Sequence, residues 1–186
     1  MTSVFGHFGT FLLDILQTVV LAIAIFLIAY LFLFQPHQVQ GHSMDPNFDD
    51  GEYLLTDKLS YRFGEPKRGD VIVFSAPPTR RDDYIKRIIA LPGEAISINN
   101  NEIYINQKLL DEKYLPQDFV TRPGAYLGAD NPYTLKNDEY FVLGDNRDHS
   151  SDSRSFGPIR RKDIVGRAWF VYWPATNLGL VPQTSY

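Results

Sequence analysis

The chain has 186 residues, 44% hydrophobic and 22% charged, close to ordinary globular composition and long enough for one domain with an adequate core. Its net charge of -4 offers no basic field for a phosphate backbone, so nucleic acid is set aside as a partner. The absence of cysteine excludes disulfides, thiol nucleophiles and thiolate metal sites, while 13 glycines, 12 prolines, 13 Phe and 11 Tyr predict turns and strands with few long helices.

In chain order, Ile15 to Phe34 is apolar apart from Gln17, Thr18 and Tyr30, about the twenty residues that a helix needs to cross a hydrocarbon core roughly 30 Å thick. We read it as a retained anchor rather than a cleaved leader. No Lys or Arg precedes Lys58, and the exit reads Gln35-Pro36-His37-Gln38 instead of a run of small residues. Because neither flank is basic, charge does not set the orientation. From Phe34 to Ser43 is nine residues, a reach of about 30 Å, which keeps the turn Gly41-His42-Ser43-Met44-Asp45-Pro46 near the membrane surface.

Glu52–Thr56 and Val71–Phe74 read as strands, the second entered through the turn signal Lys67-Arg68-Gly69-Asp70. Ser75–Arg81 holds Pro77-Pro78 and is a loop, after which Tyr84–Ala90 is strand-like up to Leu91-Pro92-Gly93. Ile96, Ile98, Ile103 and Ile105 recur with period two around Asn99-Asn100-Asn101, the pattern of a hairpin with one buried face. Lys108–Lys136 loses periodicity and reads as a surface insert; Glu139–Leu143 and Ile164–Trp173 resume as strands. The predicted fold is mostly β: a tail and anchor over residues 1–35, then an antiparallel β domain over 36–186 with an irregular insert at about 108–136.

Three stretches carry chemistry when taken together. Ser43 alone reads as a turn residue. As a nucleophile it would need a base within hydrogen-bond reach. Lys86, flanked by Tyr84, Ile85, Ile88 and Ile89, can be held in apolar surroundings that disfavour its charge, leaving a neutral amine to take the Ser43 proton. Neighbouring strand residues face opposite ways, so Arg87 then points away from Ser43 and needs a carboxylate, for which Asp145 is the candidate. The loop Gly144–Gly157 is dense in hydroxyls and charges, and in it Ser150 is placed to hydrogen-bond the lysine amine. A histidine triad is the alternative, with His149 served by Asp145, Asp148 or Asp152. A calcium loop built on the same three aspartates lacks the central glycine and terminal glutamate of an EF-hand.

Ser43-Met44-Asp45-Pro46, Arg68-Gly69-Asp70-Val71-Ile72-Val73-Phe74, Lys86-Arg87 through Leu91-Pro92-Gly93, and Gly144-Asp145-Asn146-Arg147 with Ser150, Asp152, Ser153 and Arg154 follow one another in the order found in type I signal peptidases, which the chain strongly resembles. The resemblance implies a membrane-anchored serine endopeptidase that removes signal peptides from exported preproteins, with Ser43 as nucleophile and Lys86 as general base. It gives Ser150 the orienting hydroxyl and Arg87, Asp145, Asp152 and Arg154 a supporting salt-bridge network. It implies no metal or organic cofactor, preproteins and the lipid bilayer as partners, and substrates with small residues one and three positions before the cleaved bond. The active site would face outward from a cell or thylakoid membrane crossed once. Gly41 stands where some members carry an oxyanion-binding serine, so the oxyanion would rest on backbone N–H groups, that of Ser43 among them. Asn47, Ala90 and Glu94 also depart from the commoner Thr, Gly and Asp.

Overall fold

A computed structural model describes residues 2–77, 79–117, 119–129, 131–184 and 186. Helix α1 (Thr2–Leu33) carries the apolar segment; its stretch Gly9–Tyr30 is long and apolar enough to cross a membrane, and none of it is buried in the rest of the chain. An apolar helix bare on every side has no soluble core to bury it, which is the pattern of a membrane span. The helix stops one residue short of the predicted limit. Phe34 instead opens β1 (Phe34–Gln38), because Pro36 has no amide for the helical ladder and biases Gln35 toward extended backbone. All five residues of β1 pair antiparallel with β2 (Tyr53–Asp57), a strand partner that the short run Gln35–Gln38 did not announce.

The remaining α-helices and strands are α2 (Ser60–Phe63), β3 (Val71–Ser75), β4 (Asp83–Ala90), β5 (Ala95–Asn99), β6 (Glu102–Ile105), β7 (Lys108–Leu109), β8 (Tyr133–Thr134), β9 (Glu139–Leu143), α3 (Ser153–Phe156), β10 (Ile159–Arg160), β11 (Ile164–Trp173) and β12 (Gly179–Leu180). The five longer strands of the main sheet after β1 fall within one residue of the predicted runs. One sheet runs β1-β2-β11-β3-β4-β9-β10 with β12 on β11; the smaller runs β7-β6-β5-β8. Every ladder between named strands is antiparallel. The isoleucine hairpin forms as read: Ile96 faces Ile105 and Ile98 faces Ile103, all four buried, and Asn100 and Asn101 both take positive φ, as a tight hairpin turn of the primed type requires.

Two features of the sheet position the site. Strand β3 is buried on both faces, Val71 and Val73 packing with Met44 and Phe48 of the serine turn, and Ile72 and Phe74 with Ile88 and Val142. The turn is thereby moored to the sheet centre by two fully buried side chains, worth roughly 1.5–3 kcal/mol each in transfer free energy. Along β4, β3 covers one edge from Asp83 to Arg87, but β9 covers the other only from Arg87 onward. The segment Asp83–Lys86 therefore keeps one edge open beside Ser43.

Candidate active site

Lys86 lies in β4, opposite Ile72 of β3, and only 3% of it is exposed. Its Nζ donates to Ser43 Oγ at 2.7 Å and to the Ile85 carbonyl at 2.8 Å. Burial pulls the ammonium down to about 8, against the opposing pull of Asp152 and then Asp145. Burial wins because each of those carboxylates is already neutralised by an arginine, so the lysine meets ion pairs rather than bare anions.

Those arginines are the expected ones. Arg87, the next residue along β4, turns to the opposite side and holds Asp145 through two hydrogen bonds of 2.8 and 2.6 Å, with both side chains buried. Arg154 holds Asp152 in the same bidentate way, at 2.9 and 2.8 Å, while Asp152 caps α3 and accepts from the Gly144 amide at 3.1 Å. The remaining acid of the loop, Asp148, is paired with Arg122. All three aspartates available to a histidine triad or a calcium loop are thus engaged by guanidinium groups. His149 is exposed and contributes its backbone amide to Asn146, and His42 pairs with Asp45 at 3.2 Å on the surface. Neither imidazole has a hydrogen bond to Ser43 among the described residues, so the triad alternative is not assembled.

Ser150 differs from its expected place. Its buried hydroxyl has no hydrogen-bond partner, whereas the Lys86 amine is already occupied by Ser43 and the Ile85 carbonyl. Ser150 packs instead on Gly144. A methyl group at that glycine would run into the Ser150 Oγ and the Ser43 carbonyl oxygen, so the loop approaches the serine turn as closely as a backbone allows. Gly41 has a φ of +83°, donates its amide to Asp50 at 2.7 Å and faces open space; the turn's backbone conformation, not crowding, favours glycine there.

Several residues emerge only in three dimensions. Asn146 fixes the serine turn twice, its amide donating to the Ser43 carbonyl at 3.1 Å and its side chain to the His42 carbonyl at 2.8 Å. Asn47, a departure from the family pattern, donates to Asp145 at 2.9 Å and so ties the same turn to the Arg87 ion pair. Glu94, another departure, pairs with Arg68 and caps the Leu91 amide. The insert also reaches inward: Glu112, Tyr114 and Thr121 all receive hydrogen bonds from buried Arg147, and the Tyr114 ring lies 4.2 Å from the Arg87 guanidinium. Arg147 belongs to the motif Gly144-Asp145-Asn146-Arg147, but nothing in its sequence neighbourhood names partners some thirty residues away.

A groove of about 590 Å³ runs beside Ser43 and Lys86, walled by the open edge of β4 on one side and by His37 to Gln40 on the other. Two unpaired strand edges flanking a buried amine and a hydroxyl can take an extended peptide by main-chain hydrogen bonds and bring one carbonyl to the hydroxyl.

A model of the family described as signal peptidase, peptidase S26, matches residues 12–173. Signal peptidase IB of Staphylococcus aureus strain Mu50 is 36% identical over 88% of this chain and 90% of its own length, and a probable signal peptidase I-2 of Synechocystis is 33% identical over 93% and 78%. A crystal structure of a signal peptidase I from Enterococcus faecalis V583 is 30% identical, with a TM-score of 0.47 over 56% of this chain and 97% of that one. The motif order read along the sequence agrees with the family model and with both curated relatives, which match most of the chain, and the chain belongs to the signal peptidase family, peptidase S26.

Proposed function

We propose that the protein is a signal peptidase I that cleaves signal peptides from preproteins at the membrane surface, with Ser43 as nucleophile and Lys86 as its general base. The observation that carries this reading is the 2.7 Å contact between Ser43 Oγ and a buried lysine amine held near 8. In its neutral form the amine keeps one N–H on the Ile85 carbonyl and turns its lone pair to the serine hydroxyl, which then donates across the same contact. Ser43 Oγ attacks the substrate carbonyl carbon as its proton passes to Lys86. The oxyanion is met by the Ser43 amide, and the proton is delivered to the leaving nitrogen. Water then repeats the sequence on the acyl-enzyme with Lys86 again as base.

The network Arg87–Asp145 and Arg154–Asp152 holds the two reacting side chains in place, Asn47 and Asn146 anchor the serine turn, and Ser150 takes the amine when Ser43 is acylated. Action at the membrane surface is supported by an aromatic ladder that continues the helix into the sheet: Tyr30 meets Phe34 at 5.6 Å and Phe34 meets Trp169 at 5.0 Å. Trp173, Leu178 and Leu180 stand exposed on the same strand system, as residues at a lipid boundary do. We assign the β domain to the outer face of a membrane crossed once by α1.

The pH profile of preprotein cleavage tests the base. With Lys86 near 8, roughly a tenth of it is neutral at pH 7 and nine tenths at pH 9, so kcat/KM rises about tenfold between them. A midpoint near 6.5 would identify a histidine base, and one near 10.4 a solvated lysine. Gly144→Ala is expected to lower kcat by about a hundredfold, because its methyl group displaces the Ser43 carbonyl and so the nucleophile; single-turnover cleavage with unchanged substrate binding checks this.

A further inference from the structure

Two residues that line the groove, His37 and Asp83, meet in a contact that the proposed chemistry does not use. Four antiparallel steps separate β1 from β4 in the sheet order, an even number of reversals, so the two strands run in the same direction. The sheet curls until their edges face each other across the groove. At that closure His37 Nε2 lies 3.4 Å from Asp83 Oδ2. The imidazole is fixed from behind, its Nδ1 sharing a 2.8 Å hydrogen bond with fully buried Thr56, and Gln35 sits 3.2 Å from the other ring nitrogen. Asp83 is also tied to Ser75 at 3.0 Å, yet its side chain remains one third exposed.

The position of this contact is fixed by strand geometry. Asp83 precedes Lys86 by three residues of β4, about 10 Å at strand rise, so an extended peptide whose cleaved carbonyl lies at Ser43 spends three residues reaching it. Its end of the groove is the helix end, since His37 follows the last residue of α1 by four positions. A signal peptide's apolar core must leave toward that end, and its fourth residue before the cleaved bond arrives between the imidazole and the carboxylate.

We infer that His37 and Asp83 form a clasp across the groove that reads the fourth residue before the cleavage site, admitting a hydrogen-bonding side chain and discriminating against a bulky aliphatic one. The inference rests on the Ser43–Lys86 reading for its register. Its physical basis is an exchange of partners: a polar side chain replaces the contact that it parts, whereas an aliphatic one leaves an imidazole and a carboxylate facing hydrocarbon.

The test uses the full chain in detergent and one preprotein made in two forms, with Gln or with Leu at that fourth position. The ratio of their kcat/KM values is read within each protein, so that a change in overall rate does not enter. Wild type is expected to favour Gln by about tenfold, equivalent to ~1.4 kcal/mol, and both His37→Ala and Asp83→Ala to bring the ratio below about two. Asp83 is an exposed strand end, so its truncation leaves the fold intact. A wild-type ratio near one, or an undiminished ratio in Asp83→Ala, overturns the clasp while cleavage itself leaves the signal-peptidase reading standing. No cleavage of either form by wild type overturns both.

Discussion

Lys86→Met is expected to abolish preprotein cleavage while making the folded domain more stable at neutral pH. Ser43→Ala and Lys86→Met should each lower kcat/KM by about 10⁴-fold or more, since neither member of a nucleophile and base pair works alone. The stability effect has the opposite sign. An unfolded lysine titrates near 10.4, and burial holds the folded one near 8, so between those values the unfolded chain binds more protons and stability rises with pH. Below pH 8 the depression costs the fold ~3 kcal/mol in full. Methionine removes that cost and forfeits two hydrogen bonds at ~1 kcal/mol each, for a net gain of ~1 kcal/mol at pH 7 that vanishes at pH ~9 and becomes a net loss above it. Urea melts at pH 7 and pH 10.5, beside the cleavage assay, check both parts. A dead variant that is less stable at pH 7 would mean that the folded state favours the lysine's charge instead of penalising it.

Asp145→Ala should produce the largest loss of stability of any single change near the site, about 3–5 kcal/mol. It leaves the Arg87 guanidinium buried at 3% exposure with its bidentate partner gone. The remaining acceptors, the Gly69 carbonyl and the Thr184 hydroxyl, are neutral and cannot compensate a full charge. Removing both partners in Arg87→Met with Asp145→Leu should be far milder for stability, because the desolvation of two charges goes with them. Activity follows a different course. Asp145 also receives Asn47 from the serine turn, so both variants loosen Ser43 and lower kcat. In Asp145→Ala the anion that favours Lys86 charge is lost and an unpaired cation remains, so the acid limb of the pH profile moves to lower pH. Equal stability of the single and double variants would refute the ion-pair account.

Each residue's place in the fold is determined over its own range of the chain. Twenty apolar residues, the period-two isoleucines of β5 and β6 with Asn100-Asn101 between them, and the opposite facing of Lys86 and Arg87 all follow from rules that act within a few residues, and all were legible in the sequence. The family was legible too, because its motifs are short and ordered.

What the tertiary structure alone decided are the long-range closures. Phe34–Gln38 becomes a strand only because β2 offers it an edge. Asn146 reaches the His42 carbonyl across 104 residues of chain, and Arg147 finds Glu112 across 35. The Ser150 hydroxyl packs on Gly144 instead of bonding the amine, and His37 meets Asp83 only where the curled sheet brings its two ends together. The lysine's lowered pKa belongs with these. A neighbourhood of isoleucine and tyrosine permits burial, but a strand residue is half open until another part of the chain covers it. The lowered pKa near 8 comes from burial of Lys86 beneath other parts of the chain, against the upward pull of Asp152 and Asp145, and it depends on folding because desolvation is a property of every atom around the amine rather than of its neighbours in sequence.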